Sequence, residues 1–208
     1  MKIQPFCLSN GYTNTYVASD GIEACIIDAP DSVGPVLEYI EKEGLSLRCV
    51  LLTHGHYDHI LGLGEIRRAY PEIPIYISKE DISFLEDGGK ANRDILSYFP
   101  GMTKEMNLLK TLPENYEFYE NEAWKFKVIR TPGHTMGSVC LYSKDEGVLF
   151  SGDTLFEGSI GRHDLGGSFS DLRKSLSELK KLEGKTLVLP GHGGFTTIER
   201  EIKSNPYM

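Results

Sequence analysis

Six residues, His54-Gly55-His56-Tyr57-Asp58-His59, follow directly on the apolar run Val50-Leu51-Leu52-Thr53. A short apolar run bounded by a turn predicts a buried strand, so three histidines and a carboxylate leave one strand end together. Where a strand ends, the alternation of side chains across the sheet ends with it. Residues two, four and five positions apart can then converge on one point. Gly55 is expected to supply an unusual backbone geometry for that turn. Neutral imidazole with carboxylate is a donor set for zinc, iron or manganese rather than magnesium or calcium.

Three further segments share the form of an apolar strand that ends in a donor residue beside glycine. They are Ile129-Arg130-Thr131-Pro132-Gly133-His134, Leu149-Phe150-Ser151-Gly152-Asp153 and Val188-Leu189-Pro190-Gly191-His192. Together His54, His56, Asp58, His59, His134, Asp153 and His192 exceed what one tetrahedral zinc takes. They suit two divalent ions that share a bridging carboxylate.

The rest of the chain predicts a frame for such a site. Strands are expected at Met1 to Leu8, Thr13 to Ala18, Ile22 to Ile27, Leu47 to Leu52 and Ile73 to Ile77. Helices are expected from Asp31 or Ser32, as cap, to about Glu43, and from Ile60 to just before Pro71. A second series of strands lies near Tyr116 to Tyr119, Trp124 to Arg130, Ser138 to Ser143, Val148 to Ser151 and Thr186 to Leu189. Ser168 with Asp171 resembles a capping box. Leu172, Leu176, Leu179 and Leu182 mark the buried face of the helix that follows, and a short helix starts near Thr197. Two successive strands-then-helix halves predict an α/β chain of two mixed sheets packed together with helices outside, a single unit over residues 1–208. Residues 79 to 105 read as an irregular stretch that overhangs a site, Glu80 to Leu85 within it being helical.

Composition narrows the classes. With 22 Lys+Arg against 30 Asp+Glu the formal charge is −8, which opposes binding to nucleic acid and to anionic membrane surfaces. The start, Met1-Lys2-Ile3-Gln4-Pro5-Phe6, lacks the apolar core of a signal peptide, and no apolar stretch is long enough to span a bilayer, which predicts a cytoplasmic protein. Cys7, Cys25, Cys49 and Cys140 stand singly in apolar runs and read as buried thiols, not as a disulfide framework.

The H-x-H-x-D-H motif with its downstream Gly-His, Gly-Asp and Gly-His-Gly resembles the metallo-β-lactamase superfamily over nearly the whole chain. The stretch from Gly152 to Arg162 is similar to its glyoxalase II branch, the hydroxyacylglutathione hydrolases. The resemblance implies an αββα sandwich with metals at one edge of the two sheets. Matched motif by motif, it implies that His54, His56 and His134 hold a first metal, Asp58, His59 and His192 a second, and that Asp153 bridges them. Asp28 matches a family Asp near the site and reads equally as a support or as a simple turn cap.

Departures from the family sharpen the expectation. Position 153 is Asp where many zinc β-lactamases carry Cys, which disfavours lactamase activity. His56 stands where flavodiiron proteins carry Glu. Arg162 matches a basic residue that binds substrate, but Asp164 replaces the Tyr two places later. The chain also ends 16 residues after His192, without the helical extension of full-length glyoxalase II. In these respects it resembles the short, single-domain glyoxalase II-like bacterial proteins.

The expected activity is therefore dinuclear metal-dependent hydrolysis of a small-molecule thioester of the S-2-hydroxyacylglutathione type, with hydroxide between the ions as nucleophile. Asp58 would orient that nucleophile, and Arg162 and Tyr57 would contact substrate. Zinc is the expected metal, iron or manganese being alternatives. The alternatives to this activity are a mononuclear iron persulfide dioxygenase that uses His54, His134 and Asp153, a lactone or ester hydrolase, or a metal-binding protein without turnover. His163 has no donor motif and reads as a surface loop residue.

Overall fold

A computed structural model describes residues 1–86, 109–112, 117–121 and 124–208. The chain opens with an antiparallel meander, β1 (Lys2–Leu8), β2 (Thr13–Ser19) and β3 (Glu23–Ile27). Helix α1 (Gly34–Lys42) then carries it over to β4 (Ser46–Leu51), which runs parallel to β3. Neither Asp31 nor Ser32 caps α1 as expected. Ser32 sits at φ +66°, Val33 occupies the cap without a side-chain bond, and Pro35 presets the first turn instead.

After β4 come a 3-10 turn, Tyr57–His59, and helix α2 (Leu63–Ala69). The expected helix therefore begins three residues late, because the preceding residues are given to the turn. Strand β5 (Ile75–Ile77) leads to a 3-10 turn at Lys79–Asp81 and helix α3 (Ile82–Glu86). The rest of the irregular stretch, residues 87–105, read from the sequence as overhanging a site, lies outside the described residues. Strand β6 (Leu109–Thr111) pairs parallel with β5 and completes the sheet order β1-β2-β3-β4-β5-β6.

The second sheet is built from β7 (Glu117–Asn121), β8 (Trp124–Arg130), β9 (Val139–Ser143), β10 (Val148–Gly152), β13 (Leu187–Pro190) and β14 (Thr196–Thr197), in the order β14-β13-β10-β9-β8-β7. Between β10 and β13 lie a small hairpin, β11 (Leu155–Phe156) with β12 (Ser159–Ile160), and helix α4 (Phe169–Leu179). Ser168 caps α4 as the sequence predicts, its side chain accepting from the Asp171 N–H. Helix α5 (Ile198–Ser204) closes the chain, capped by Thr197.

Three apolar layers hold this arrangement. Tyr16, Ile27, Leu51, Phe126, Leu141, Phe150 and Leu189 interdigitate between the two sheets. Ile26, Val50 and Ile77 on the outer face of the first sheet meet Val36 and Ile40 of α1 and Ile66 of α2. On the outer face of the second sheet, Cys140, Leu149 and Val188 meet Leu172, Leu176 and Leu179 of α4 and Ile198 of α5. The architecture is the expected αββα sandwich of two mixed sheets.

Cys25, Cys49 and Cys140 are buried thiols, but Cys7 is exposed: it lies on edge strand β1, where one flank has no neighbouring strand. No helix among the described residues is long and apolar enough to cross a membrane.

Topology places the site. Strands β10 and β13 are parallel, and β8 is antiparallel to β9, which is antiparallel to β10. The carboxyl ends of β8, β10 and β13 therefore share one edge of the second sheet. Backbone bonds tie that edge to the first sheet: Val139 N donates to Thr53 O at 2.9 Å and Asn14 N to Gly191 O at 2.7 Å.

Candidate metal centre

The turn after β4 and the turns after β8, β10 and β13 bring all seven donor residues into one cluster. Three groups of donor atoms lie within 4.8 Å of one another: His54, His56 and His134; His54, His59 and Asp153; and Asp58, His59 and His192. His134 Nε2 is 3.2 Å from His54 Nε2 and 2.7 Å from His56 Nδ1. His192 Nε2 is 3.3 Å from Asp58 Oδ2 and 3.4 Å from His59 Nε2. Asp153 stands between the two sides, with Oδ2 3.4 Å from His134 Nε2 and 3.2 Å from His192 Nε2, and Oδ1 3.4 Å from His59 Nε2.

Each imidazole is aimed by what holds its far nitrogen. His134 Nδ1 donates to the Arg162 carbonyl at 2.6 Å and His192 Nδ1 to the Tyr12 carbonyl at 2.8 Å. A carbonyl only accepts, so these Nδ1 atoms carry a proton and Nε2 of each ring is the nitrogen turned inward, free to present a lone pair once that nitrogen is deprotonated. His54 is fixed in the same sense. Thr53 Oγ1 gives its proton to Asp28 Oδ2 at 2.8 Å and so accepts from His54 Nδ1 at 3.1 Å. Asp28 Oδ2 also takes His59 Nδ1 at 2.9 Å, and Oδ1 takes Thr53 N at 2.8 Å. Asp28, at φ +60° and buried, thus orients one histidine of each side, beyond what a turn cap would do.

Charge divides the cluster. Burial lowers the pKa of His54 and His134 and pulls His56 down to about 4, so these three are neutral at pH 7. Burial would lower His59 and His192 as well, but carboxylates outweigh it. Asp153 and Asp28 push His59 well above its ordinary value, and Asp153 and Asp58 raise His192 to about 10. Burial likewise opposes the ionised Asp153, and the His59 and His192 charges overcome it and hold its pKa well below the carboxylate range.

The residues fit a pair of divalent ions on three counts. The cluster gathers the carboxyl groups of Asp58 and Asp153 among five imidazoles, with Asp28 behind them, a donor set suited to cations. Asp153 Oδ1 is buried and makes no hydrogen bond. The spacings of 3.2–3.4 Å also match the roughly 3.4 Å between two nitrogens on a tetrahedral zinc with bonds near 2.1 Å. Glycines make room for this crowding. A Cβ on Gly191 would stand 2.2 Å from Asp153 Oδ1. Gly55 is not at positive φ, contrary to expectation; its constraint is space, since a Cβ there would meet Phe84 Cβ at 2.7 Å.

The cluster opens into a cleft of about 330 Å³ lined by Tyr12, Tyr57, Phe156, Ile160, Arg162 and Leu165 together with five of the seven donors, His54 and His59 lying behind them. Tyr57 and Arg162, the two residues read from the sequence as substrate contacts, both line this cleft. The Arg162 guanidinium sits at the exposed rim, forked onto Asp164 at 2.8 and 2.7 Å. His163 is exposed beside it, its ring against Phe169.

Two residues escape sequence reasoning. Tyr12 holds His192 through its carbonyl and lays its ring 4.6 Å from the imidazole. Asp81, fully buried, accepts from Gly55 N, Thr135 Oγ1 and Gly137 N, joining the loops that carry His56 and His134. Neither is marked by a motif. Asp81 falls inside the stretch Glu80 to Leu85 that the sequence reads as helical, whereas the structure places it in the 3-10 turn before α3.

A model of the metallo-beta-lactamase superfamily matches residues 9–192. The chain belongs to that superfamily. Within the metallo-beta-lactamase superfamily it is 35% identical to a Bacillus subtilis protein named a probable metallo-hydrolase, over 89% of this chain and 88% of the relative. It is 31% identical to the hydroxyacylglutathione hydrolase of Pelagibacter ubique, over 92% of this chain and 71% of that enzyme. Among solved structures it resembles the BLEG-1 B3 metallo-beta-lactamase, with a TM-score of 0.84 and 34% identity over 99% of both chains. The protein TTHA1623 in a di-iron-bound form is similar too, with a TM-score of 0.85 and 31% identity over 99% of this chain and 100% of that one. The superfamily, its metallo-hydrolase relatives and the His/Asp cluster together mark the chain as a metallo-hydrolase type with residues able to hold divalent metal.

Proposed function

We propose that the protein hydrolyses small thioesters of the S-2-hydroxyacylglutathione type at a dinuclear centre. The observation that carries this reading is Asp153 standing between a neutral His54/His56/His134 trio and an Asp58/His59/His192 trio. In the proposal these residues are the ligands, with Asp153 the bridge. Zinc is the metal favoured by the imidazole-rich set, and the di-iron form of TTHA1623 keeps iron in contention.

Divalent ions bound here would lower the pKa of a water from 15.7 to roughly 7 and stabilise charge developing on a carbonyl oxygen. The protein's own part is to hold the substrate against that pair. Asp58, at the cleft floor, is positioned to accept a proton from the attacking water and fix its orientation. Tyr12, Tyr57, Phe156, Ile160 and Leu165 give an apolar surround for the acyl and thiol portions, with Arg162 at the rim for an anionic group. A thiol leaves with a pKa near 8.5 and needs little protonation, so the chemistry makes no demand for a dedicated general acid. The relative named hydroxyacylglutathione hydrolase supports the substrate class. Four cysteines, none of them in a disulfide, fit a reducing, cytoplasmic setting.

The test pairs metal analysis of protein purified without added metal with assays on the same sample. About two metal ions per chain with turnover of S-lactoylglutathione support the reading. About one iron with oxygen uptake on glutathione persulfide, or hydrolysis confined to a cephalosporin or a lactone, would replace it. Asp58→Ala with metal retained and turnover intact would remove Asp58 from the mechanism.

A further inference from the structure

Outside the donor cluster, the C-terminal helix buries a carboxylate that nothing so far described uses. Glu201 of α5 is fully buried. Its Oε1 accepts from Thr196 Oγ1 at 2.6 Å, and its Oε2 accepts from Gly158 N at 2.9 Å and from Asn205 Nδ2 at 2.8 Å. Asn205, also buried, donates from the same nitrogen to the Ser159 carbonyl at 3.0 Å. Both ends of the clamp therefore close on one target, the turn of the β11–β12 hairpin. A third contact, Arg200 with Glu157 at 2.8 Å, grips that turn from outside.

This hairpin carries Phe156, Ser159 and Ile160 into the cleft, with the Phe156 ring 5.7 Å from that of His192. It has only two residues in each strand, and a two-stranded ribbon of that size does not hold its own position in water. Its height over the donors must be set from outside. Burying a carboxylate is costly unless donors satisfy it, and the donors that satisfy Glu201 include the hairpin's own backbone.

We propose that Glu201 and Asn205 are positioning residues for the substrate wall of the cleft, fixing the β11–β12 hairpin so that Phe156 and Ile160 flank the bound acyl thioester. The kinetic consequence rests on the thioester-hydrolase reading above. The structural consequence, that the hairpin is held by α5, does not.

The experiment compares Glu201→Ala, Asn205→Ala and Glu201→Gln with the unsubstituted protein. In the alanine variants, KM for S-lactoylglutathione is expected to rise at least about fivefold with kcat within about twofold, since a displaced wall loses substrate contacts and leaves the metal side intact. Amide hydrogen exchange at 158–160 is expected to quicken while metal content and exchange in β4 and β10 stay unchanged. Glu201→Gln can accept from Gly158 N and donate to Thr196 Oγ1, so it is expected to restore both readouts. Asn205→Ala, the milder lesion, carries the test if Glu201→Ala does not fold. Folded alanine variants with unchanged exchange at the hairpin would overturn the proposal, as would loss of kcat or of metal at constant KM. If the unsubstituted protein turns over no thioester, the functional reading fails alone, and hydrogen exchange still decides the clamp.

Discussion

Asp28 shows how one side chain governs the metal cluster without belonging to either trio. It orients His59 directly and His54 through Thr53, from a residue at φ +60°. Asparagine tolerates that backbone region, so Asp28→Asn removes charge and one acceptor without adding strain. The substitution is expected to weaken metal binding 10–100-fold on the His59 side, read by chelator competition. An unaltered affinity would reduce Asp28 to a turn cap.

Protonation makes a second test. The raised pKa of His59 and His192 means that metal entering the Asp58/His59/His192 side displaces protons, so affinity there rises with pH toward about 10. The His54/His56/His134 trio, with lowered values, is already neutral above pH 6.5 and binds with little pH dependence between 7 and 9. Zinc titration is expected to fill one site well ahead of the other at pH 6.5, with the gap narrowing as pH rises to 9. In metal-free protein the sign is set by the same groups. A raised folded pKa stabilises fully below the unfolded value of 6.5, so the stability due to His192 is expected to fade as pH climbs from there through about 10. Denaturant midpoints that rise over that range would contradict it. At this scale the donors were legible because four apolar runs each end in a donor residue beside glycine, Asp58 and His59 following within the first motif. Tyr12 was not, because it acts through a carbonyl that any residue possesses.

Elements differ in how far their sequence announces them. Helix α4 has its cap and the burial of Leu172, Leu176 and Leu179 as the sequence predicts, but it ends at Leu179, so Leu182 packs half-buried from the turn beyond it. Leu176→Ala, at a site that is 1% exposed, is expected to cost about 2–5 kcal/mol in chemical denaturation while leaving metal stoichiometry unchanged. A cost near zero would mean that α4 is not packed as described. The strands β6, β11, β12 and β14 hold two or three residues each, too few for a period to register, and their pairing is decided by the chain already folded around them. The start of α1 went unread for a similar reason. Asp31 and Ser32 are good cap residues locally, but the chain leaving β3 enters the helix through Val33-Gly34-Pro35.

For the molecule as a whole, the centre is a joint between two sheets. Four donors come from the first sheet's loop and three from loops of the second, so any ion held by both sets ties the sandwich along that edge. Metal at about a thousand times its Kd is expected to add roughly 4 kcal/mol, raising Tm by roughly 8–16 °C over chelator-treated protein. Thermal melts that coincide with and without chelator would show that the cluster does not bind metal in the folded state. The order of the donors along the chain also gives the joint a direction in time. A chain still being synthesised, and ending short of His192, already carries every residue of the His54/His56/His134 trio and Asp153. It lacks a third of the other trio, and with it the β13 turn that seats His192 against Asp58. Under the proposed ligand assignment, an emerging polypeptide would be equipped to capture one ion before β13 exists, and the arrival of β13 with its His192 turn would complete the place for a second.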